Sequence, residues 1–171
     1  KRRRAILKDV ERAARLADGL DNVDFIMCMG LAIDVPTLRS DRYHFAAMLS
    51  NSTKPVMFTA WDLDGLKDIY EMAVAVAGDE KTLRQKPFLI HYAMGISPLI
   101  HPKESLQKVL FCAEKRIPVE YHSVDIGGAT SPATLAGSVV QGNAMMLSGI
   151  VIHQLKARGA PLIVTSSAVF M

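Results

Sequence analysis

The apolar positions change period several times along the chain, and each change marks an element. Ile6, Leu7, Val10, Ala13, Ala14 and Ala17 recur at the spacing of one helix face, which predicts an amphipathic helix over 1–18, stopped by Gly19. Val23-Asp24-Phe25-Ile26-Met27-Cys28-Met29 is a short, mostly apolar run closed by Gly30; it predicts a strand buried on both faces, as parallel sheets require. A second helix is expected between Pro36 and Leu49. The same alternation then recurs. Lys54–Thr59 reads as a strand; Asp62 or Asp64 is placed to cap a helix whose apolar face carries Leu66, Ile69, Tyr70, Ala73 and Val76 before Gly78. Pro87–Tyr92 reads as a third strand, followed by a helix with Leu106, Val109, Leu110, Ala113 and Ile117 on one side. Pro118–His122 and Pro161–Thr165 read as the fourth and fifth strands.

With Val23, Pro55, Pro87, Pro118 and Pro161 as strand starts, the spacings are 32, 32, 31 and 43 residues, each close to one βαβ repeat. That regularity predicts an α/β fold of parallel strands joined by right-handed helical crossovers. Strands that start at Pro and leave into polar, Gly-rich or aromatic segments fit a barrel with its site at the C-terminal strand ends. A complete (β/α)8 barrel takes about 250 residues. The whole of 1–171 is therefore expected to be one incomplete segment of a TIM barrel with about five β/α units. The alternative is an open doubly wound parallel sheet.

Composition narrows the function classes. The 171 residues are 50% hydrophobic and carry a formal charge of +3, ample for a core and too little charge for a nucleic-acid binder. The one dense basic run, Lys1-Arg2-Arg3-Arg4, is read as the solvated end of the first helix, so no nucleic-acid partner is expected. Cys28 and Cys112 are far apart and belong to no CxxC pair; reduced thiols packed as small hydrophobes are expected, with no structural metal. No apolar signal sequence opens the chain, and a cytoplasmic protein is expected. Ser131–Leu155 contains no Asp, Glu, Lys or Arg, and a membrane-crossing helix needs about 20 mostly apolar residues. Its interruption by Thr134, Ser138, Gln141, Asn143, Ser148, His153, Gln154 and three glycines favours a buried helix and no membrane partner.

Three strand exits carry candidate chemistry. His91-Tyr92 ends the third strand and offers an acid or base beside an aromatic ring. Equally well it is one core residue and one hydrogen-bonded tip, since neighbours in a strand point to opposite faces. Tyr121-His122 runs through Gly127-Gly128 and Thr130 to Pro132. With Thr or Ser at the N-cap and Pro in the first helical turn, backbone amides there are placed to meet an anion; a simple tight turn accounts for the glycines as well. Trp61 follows the second strand, and with Tyr92 and Tyr121 it is a candidate for a box around a cation, each contact worth about 0.5–2 kcal/mol. The substrate-binding set expected from position is thus Trp61, His91, Tyr92, His122, Gly127, Gly128 and Thr130. No catalytic set is assigned, because spacing singles out no Ser/His/Asp triad, and His91, His122 and His153 lack the Cys or carboxylate neighbours of a metal centre.

Gly128-Ala129-Thr130-Ser131-Pro132-Ala133-Thr134-Leu135-Ala136-Gly137, continued through Gln141, Asn143, Leu147, Gly149-Ile150-Val151, Gln154-Leu155 and Gly159-Ala160-Pro161, resembles the trimethylamine methyltransferase family. Leu16-Ala17-Asp18 with Asn22-Val23-Asp24-Phe25, and Asn51-Ser52-Thr53-Lys54-Pro55, look similar too. The chain departs from the family at Met145, where an acidic residue is expected after Asn143-Ala144. The resemblance implies a TIM barrel that moves a methyl group from a methylated amine, of the trimethylamine or glycine betaine type, to the cobalt of a corrinoid. That corrinoid is carried by a separate partner protein, so no cofactor is expected to be bound directly, and a homo-oligomer is left open. Members that use tertiary amines resemble one another in carrying pyrrolysine in a later part of the barrel. As part of a longer barrel, the segment alone is expected to be inactive. Two readings from other classes stand beside this one: a non-catalytic module that binds quaternary ammonium ligands, and a phosphate-binding α/β enzyme using the Gly127-Gly128 loop.

Overall fold

Local capping fixes where the first helix starts. In the computed structural model, which describes residues 3–170, Asp9 accepts from the Ile6 amide at 3.0 Å and pairs with Arg3 at 2.5 Å. That carboxylate satisfies an orphan amide of the first turn and favours the positive end of the helix dipole. Helix α1 accordingly spans Leu7–Asp18, shorter than the expected 1–18; Lys1 and Arg2 lie outside the described residues. The chain forms two compact units, Lys1–Ile90 and His91–Met171, with the division inside the third strand.

In the first unit α1 packs Val10 and Ala14 toward α2 (Ser40–Leu49), which follows a 3-10 turn over Thr37–Arg39. β1 is only Ile26–Met27 and pairs in parallel with β2, Val56–Phe58. The longer strand expected from Val23 to Met29, buried on both faces, is not formed. Ile26 is buried while Met27 is exposed, because only one face of β1 is covered within this unit. Phe45 of α2 meets Phe58 of β2 edge-on, ring centroids 5.3 Å apart. The α3 helix (Leu63–Ala77) starts at Asp62, whose carboxylate accepts from the Gly65 amide at 2.6 Å, and stops at Gly78, whose φ of 92° suits glycine. Leu66, Ile69, Tyr70 and Ala73 are buried as the pattern implied, and Val76 is exposed. A short helix α4, Glu80–Gln85, capped by Asp79, interrupts the crossover and was not anticipated. The Val56 amide donates to the Phe88 carbonyl at 2.8 Å, tying β2 to the start of β3, Leu89–Met94.

The second unit holds the rest of β3, helix α5 (Lys103–Lys115), β4 (Val119–Gly127), helix α6 (Leu135–Lys156) and β5 (Leu162–Phe170). All strand pairs are parallel: His91 is opposite Val119, and Val119 through Gly127 run level with Leu162 through Phe170. β4 and β5 are longer than expected. The residues read as a polar exit, Ser123-Val124-Asp125-Ile126, continue the ladder because β5 matches them residue for residue. Cys112 is buried in α5 and Cys28 half-buried; both are reduced, and burial pushes both thiols up.

Helix α6 is the largest departure from the expected packing. It is long and apolar enough to cross a membrane by length and composition, yet only Ser138, Gly142, Met145, Gly149 and His153 are buried in it. These residues, small or polar except for Met145, form a stripe on β4 and β5. Val139, Val140, Leu147, Val151 and Leu155 are exposed, so the helix is not buried all round. Gly149 permits the approach: a Cβ there would stand 2.5 Å from the Tyr121 ring.

Candidate functional site

Successive strand residues point to opposite faces, so the register sorts the second unit's side chains into two sets. On the helix-facing side lie His91, Ala93, Tyr121, Ser123 and Asp125, with Ser166 of β5. On the other side lie Tyr92, Glu120, His122, Thr165 and Ser167. His91 and Tyr92, adjacent in sequence, are thereby separated: His91 is fully buried against the helix layer, and Tyr92 is half-buried on the other face.

That other face carries a connected polar cluster. His122 and Thr165 are register partners, and His122 Nδ1 lies 2.5 Å from Thr165 Oγ1. Thr165 Oγ1 in turn donates to Glu120 Oε1, and that carboxylate oxygen is 3.4 Å from His122 Nδ1. At the outer end His122 Nε2 meets Ser167 Oγ at 3.1 Å. Tyr92, level with Glu120, sets its ring 5.8 Å from the His122 ring at 34°. Burial, and then the negative charge of Glu120, push the Tyr92 phenol above its ordinary value. Glu120 is buried, and among the described residues the ionisable group within ion-pair distance of it is the His122 imidazole, which is a cation only when protonated; no Lys or Arg lies within that distance. A buried carboxylate without a cationic partner is costly, and a bound cation offsets that cost.

Of the residues expected from sequence, Tyr92 and His122 come together here. Glu120, Thr165 and Ser167 were missed: the strands were ended at 122 and 165, and without the register nothing linked alternate polar residues of two strands. Trp61 belongs to the first unit, where its amide donates to Asp41 Oδ2 and its indole Nε1 to Ser40 Oγ, both at 3.0 Å. Half of the side chain stays exposed, so the ring is held in place with a face open to solvent.

The glycine segment makes a closed turn. Gly127 is the last residue of β4, and Gly128, at φ 85°, takes a conformation that favours glycine. The Ala129, Thr130 and Ser131 amides donate to the Ile126 carbonyl and the Gly128 amide to the Ser131 carbonyl, while Thr130 Oγ1 accepts from the Ile126 amide at 2.9 Å. The amides expected to face an anion are therefore engaged within the turn. Helix α6 also starts later than the sequence implied. Its N-cap is Thr134, accepting from the Gly137 amide at 3.2 Å, because Ser138 Oγ bonds the Pro132 carbonyl and holds Ser131-Pro132 outside the helix.

The helix-facing side has its own polar groups, arranged as a closed network. Asp125 is fully buried and accepts from Ser97 Oγ, from Ser123 Oγ at 3.2 Å and from Gln141 Nε2 at 2.9 Å. His101 bridges the Tyr121 hydroxyl at 2.5 Å and Ser148 Oγ at 2.8 Å. Burial pushes Tyr121 up to about 12 and lowers His101. Met145 is buried beside the same Tyr121 hydroxyl, at the edge of Gly95; an apolar side chain fills the place where an acid was expected. Among the described residues no group of three or more His, Cys, Asp or Glu gathers as a metal site.

A family model described as trimethylamine methyltransferase matches residues 1–171. The chain is 30% identical to a trimethylamine methyltransferase of Desulfitobacterium hafniense over 169 residues, 99% of this chain and 34% of the relative. It is 29% identical to a glycine betaine methyltransferase of Desulfitobacterium hafniense strain Y51, covering 98% of this chain and 35% of the relative. A proline betaine:corrinoid methyltransferase of Eubacterium limosum is 30% identical over 91% of this chain and 34% of its own length. The chain thus spans about a third of the length of the curated relatives it matches.

Proposed function

We propose, since this chain belongs to the trimethylamine methyltransferase family, that it forms part of a barrel enzyme that moves a methyl group from a methylated amine to the cobalt of a corrinoid on a separate protein. The observation that supports this reading is the cluster on the open face of β4. There a buried carboxylate, Glu120, without a Lys or Arg partner, lies level with the half-buried ring of Tyr92. A methylammonium ion matches both groups. The carboxylate offsets the positive charge, and the ring face attracts its polarised methyl groups, at about 0.5–2 kcal/mol per contact.

The chemistry asks little covalent work of the protein. When the amine nitrogen already bears four substituents, the bond pair of the departing methyl stays on nitrogen and a neutral amine leaves. The residues of this chain hold the cation, exclude water from it and keep one methyl aimed at the acceptor. Corrinoid, when presented by its partner, supplies the electron pair that takes the methyl. Glu120 and Tyr92 bind the ammonium, and His122 holds the hydrogen-bond chain beside them. As part of a larger barrel, the segment by itself lacks turnover.

The test is methyl transfer from trimethylamine and from glycine betaine to a reduced corrinoid protein, by the full-length protein that carries this segment. Transfer from at least one amine is expected, and Glu120→Gln should raise KM roughly tenfold or more, the worth of one charge-assisted contact. Absence of transfer from any methylated amine by a folded full-length protein would falsify the assignment.

A further inference from the structure

The parallel ladder between β1 and β2 ends at Met27, opposite Met57. Beyond it the chain turns back toward α2 and the segment before α1. Cys28 Sγ donates to the Gly30 carbonyl at 3.0 Å, the Ala32 amide to His44 Nε2 at 3.1 Å and the Ile33 amide to the Ala5 carbonyl at 3.0 Å. A cavity of about 220 Å³ is left, lined by both strand ends, the loop after β1 and α2. Met27, Leu31, Met48, Met57 and Phe58 give it apolar walls, while Asp41 and His44 of α2 give it a polar end.

That polar end is specified atom by atom. A backbone amide only donates, so His44 Nε2 is a lone pair and the ring proton sits on Nδ1. Protonating the ring would set a second N–H against the Ala32 amide, and burial lowers His44 below its ordinary value, outweighing the charges of Asp41 and Asp34. His44 is only 5% exposed, yet its Nδ1 has no partner among the described residues and is not sealed from solvent. A buried N–H left without an acceptor is costly, and an acceptor in the cavity offsets that cost. Asp41 is buried too, and accepts from the Arg42 amide at 2.9 Å, Arg42 Nη1 at 3.2 Å and the Trp61 amide at 3.0 Å. A carboxylate has about four lone-pair sites, so one is left over.

We propose that this cavity of the first unit binds a small neutral molecule with an apolar body and one hydroxyl, whose oxygen accepts from His44 and whose proton goes to Asp41. The site is independent of the cluster on β4. An anion is opposed by the charge of Asp41. A cation brings no acceptor for His44 and finds the carboxylate already paired with Arg42. A hydroxyl meets the donor and the acceptor at once. The volume sets the size: a dry cavity of about 150 Å³ already admits benzene, so this one takes a single ring with a short substituent.

Calorimetric titration of the full-length protein that carries this segment, with benzyl alcohol, ethylbenzene and benzylammonium, tests the proposal. The three share a ring and a size and differ in the terminal hydroxyl, methyl or ammonium. Benzyl alcohol should bind roughly tenfold tighter than ethylbenzene, the net worth of its hydrogen bonds, and tighter than benzylammonium. A crystal of the complex should place the alcohol oxygen within hydrogen-bond distance of His44 Nδ1. His44→Gln keeps an acceptor for the Ala32 amide and removes the donor at the δ position, so it should bring the alcohol and the hydrocarbon together. The proposal is overturned if benzyl alcohol does not bind, if ethylbenzene binds equally, if benzylammonium binds tighter, or if the alcohol is seated elsewhere. Undiminished preference for the alcohol in His44→Gln overturns it as well. Should that variant fail to fold, the three affinities and the position of the alcohol in the unaltered protein still decide the matter.

Discussion

On the helix-facing side of β4 the Asp125 carboxylate is fully enclosed and receives Ser97, Ser123 and Gln141, while Gln141 also bonds the Thr130 carbonyl at 2.8 Å. On the other side, five residues earlier, Glu120 receives Thr165, with His122 close by, and the cluster ends in a serine that solvent reaches. Both carboxylates are buried in the same strand. The difference lies in who satisfies them. Asp125 is supplied by its own chain and locks a loop, a strand and a helix into one geometry. Glu120 is supplied only in part, which is the condition expected of a group that meets a ligand.

The sharpest way to break this comparison is to remove each carboxylate in turn. Asp125→Ala should cost about 3 kcal/mol or more, because it leaves several buried donors without an acceptor, each worth about 1–3 kcal/mol. Glu120→Gln keeps shape and an acceptor for Thr165 and should change stability by less than about 1 kcal/mol. Urea unfolding of both variants reads the contrast; equal losses would mean that Glu120 is as structural as Asp125.

A somewhat smaller effect belongs to the small-residue stripe of α6. A Cβ on Gly149 would lie 2.5 and 2.7 Å from two ring carbons of buried Tyr121, which cannot swing away. Gly149→Ala should therefore cost about 2 kcal/mol, overpacking outweighing the gain in helix propensity of about 1 kcal/mol. Thermal unfolding checks the sign: a stabilised variant would show that α6 can lift from β4 at little cost. By contrast, an alanine at Gly19, whose nearest neighbours would be at 3.7 Å and whose φ is ordinary, meets only van der Waals contact.

How much of this was legible in the sequence follows from the same geometry. The α/β class, the five strands, their parallel direction and a capping aspartate at 62 or 64, of which the structure uses Asp62, were readable because they rest on local periodicity and local hydrogen bonds. The lengths of β4 and β5 were not. Ser123-Val124-Asp125 is polar by composition, and only pairing with Ser166-Ser167-Ala168 makes it strand. Tyr92 and His122 were singled out from their position at strand ends, whereas the neighbourhood of Glu120, Thr165 and Ser167 depends on which residues of two strands stand level, a long-range fact. The reading of α6 as a buried helix failed because composition reports how apolar a helix is and not which side is covered. Val139, Val140, Leu147, Val151 and Leu155 are exposed, while Ser138, Gly142, Gly149 and His153, with Met145 alone among the large apolar residues, are buried.

The smallest expected effect belongs to His101, which bonds Tyr121 on the helix-facing side of β4. Ser148 donates its proton to the Met145 carbonyl at 2.8 Å, so it accepts from His101 Nε2, and the Tyr121 hydroxyl donates to His101 Nδ1. His101 is thus held neutral as the Nε2–H tautomer. Protonating it would set an N–H against a phenol whose own proton is retained, its pKa pushed up to about 12. Burial lowers His101, and likewise His44 and His153. A histidine with a lowered folded value binds more protons when unfolded, so stability rises with pH in the window below the unfolded value of about 6.5 and is lost as pH falls through it. Each such group contributes a slope of at most about 1.4 kcal/mol per pH unit. The chain should therefore weaken between pH 7 and pH 5, above the range where its carboxylates titrate. His101→Gln, which keeps a donor for Ser148 and an acceptor for Tyr121, should flatten that slope by up to one group's share in pH-dependent urea unfolding. An undiminished slope would mean that Tyr121 turns to accept from a charged His101, and that the helix-facing network is less rigid than its saturated hydrogen bonds imply.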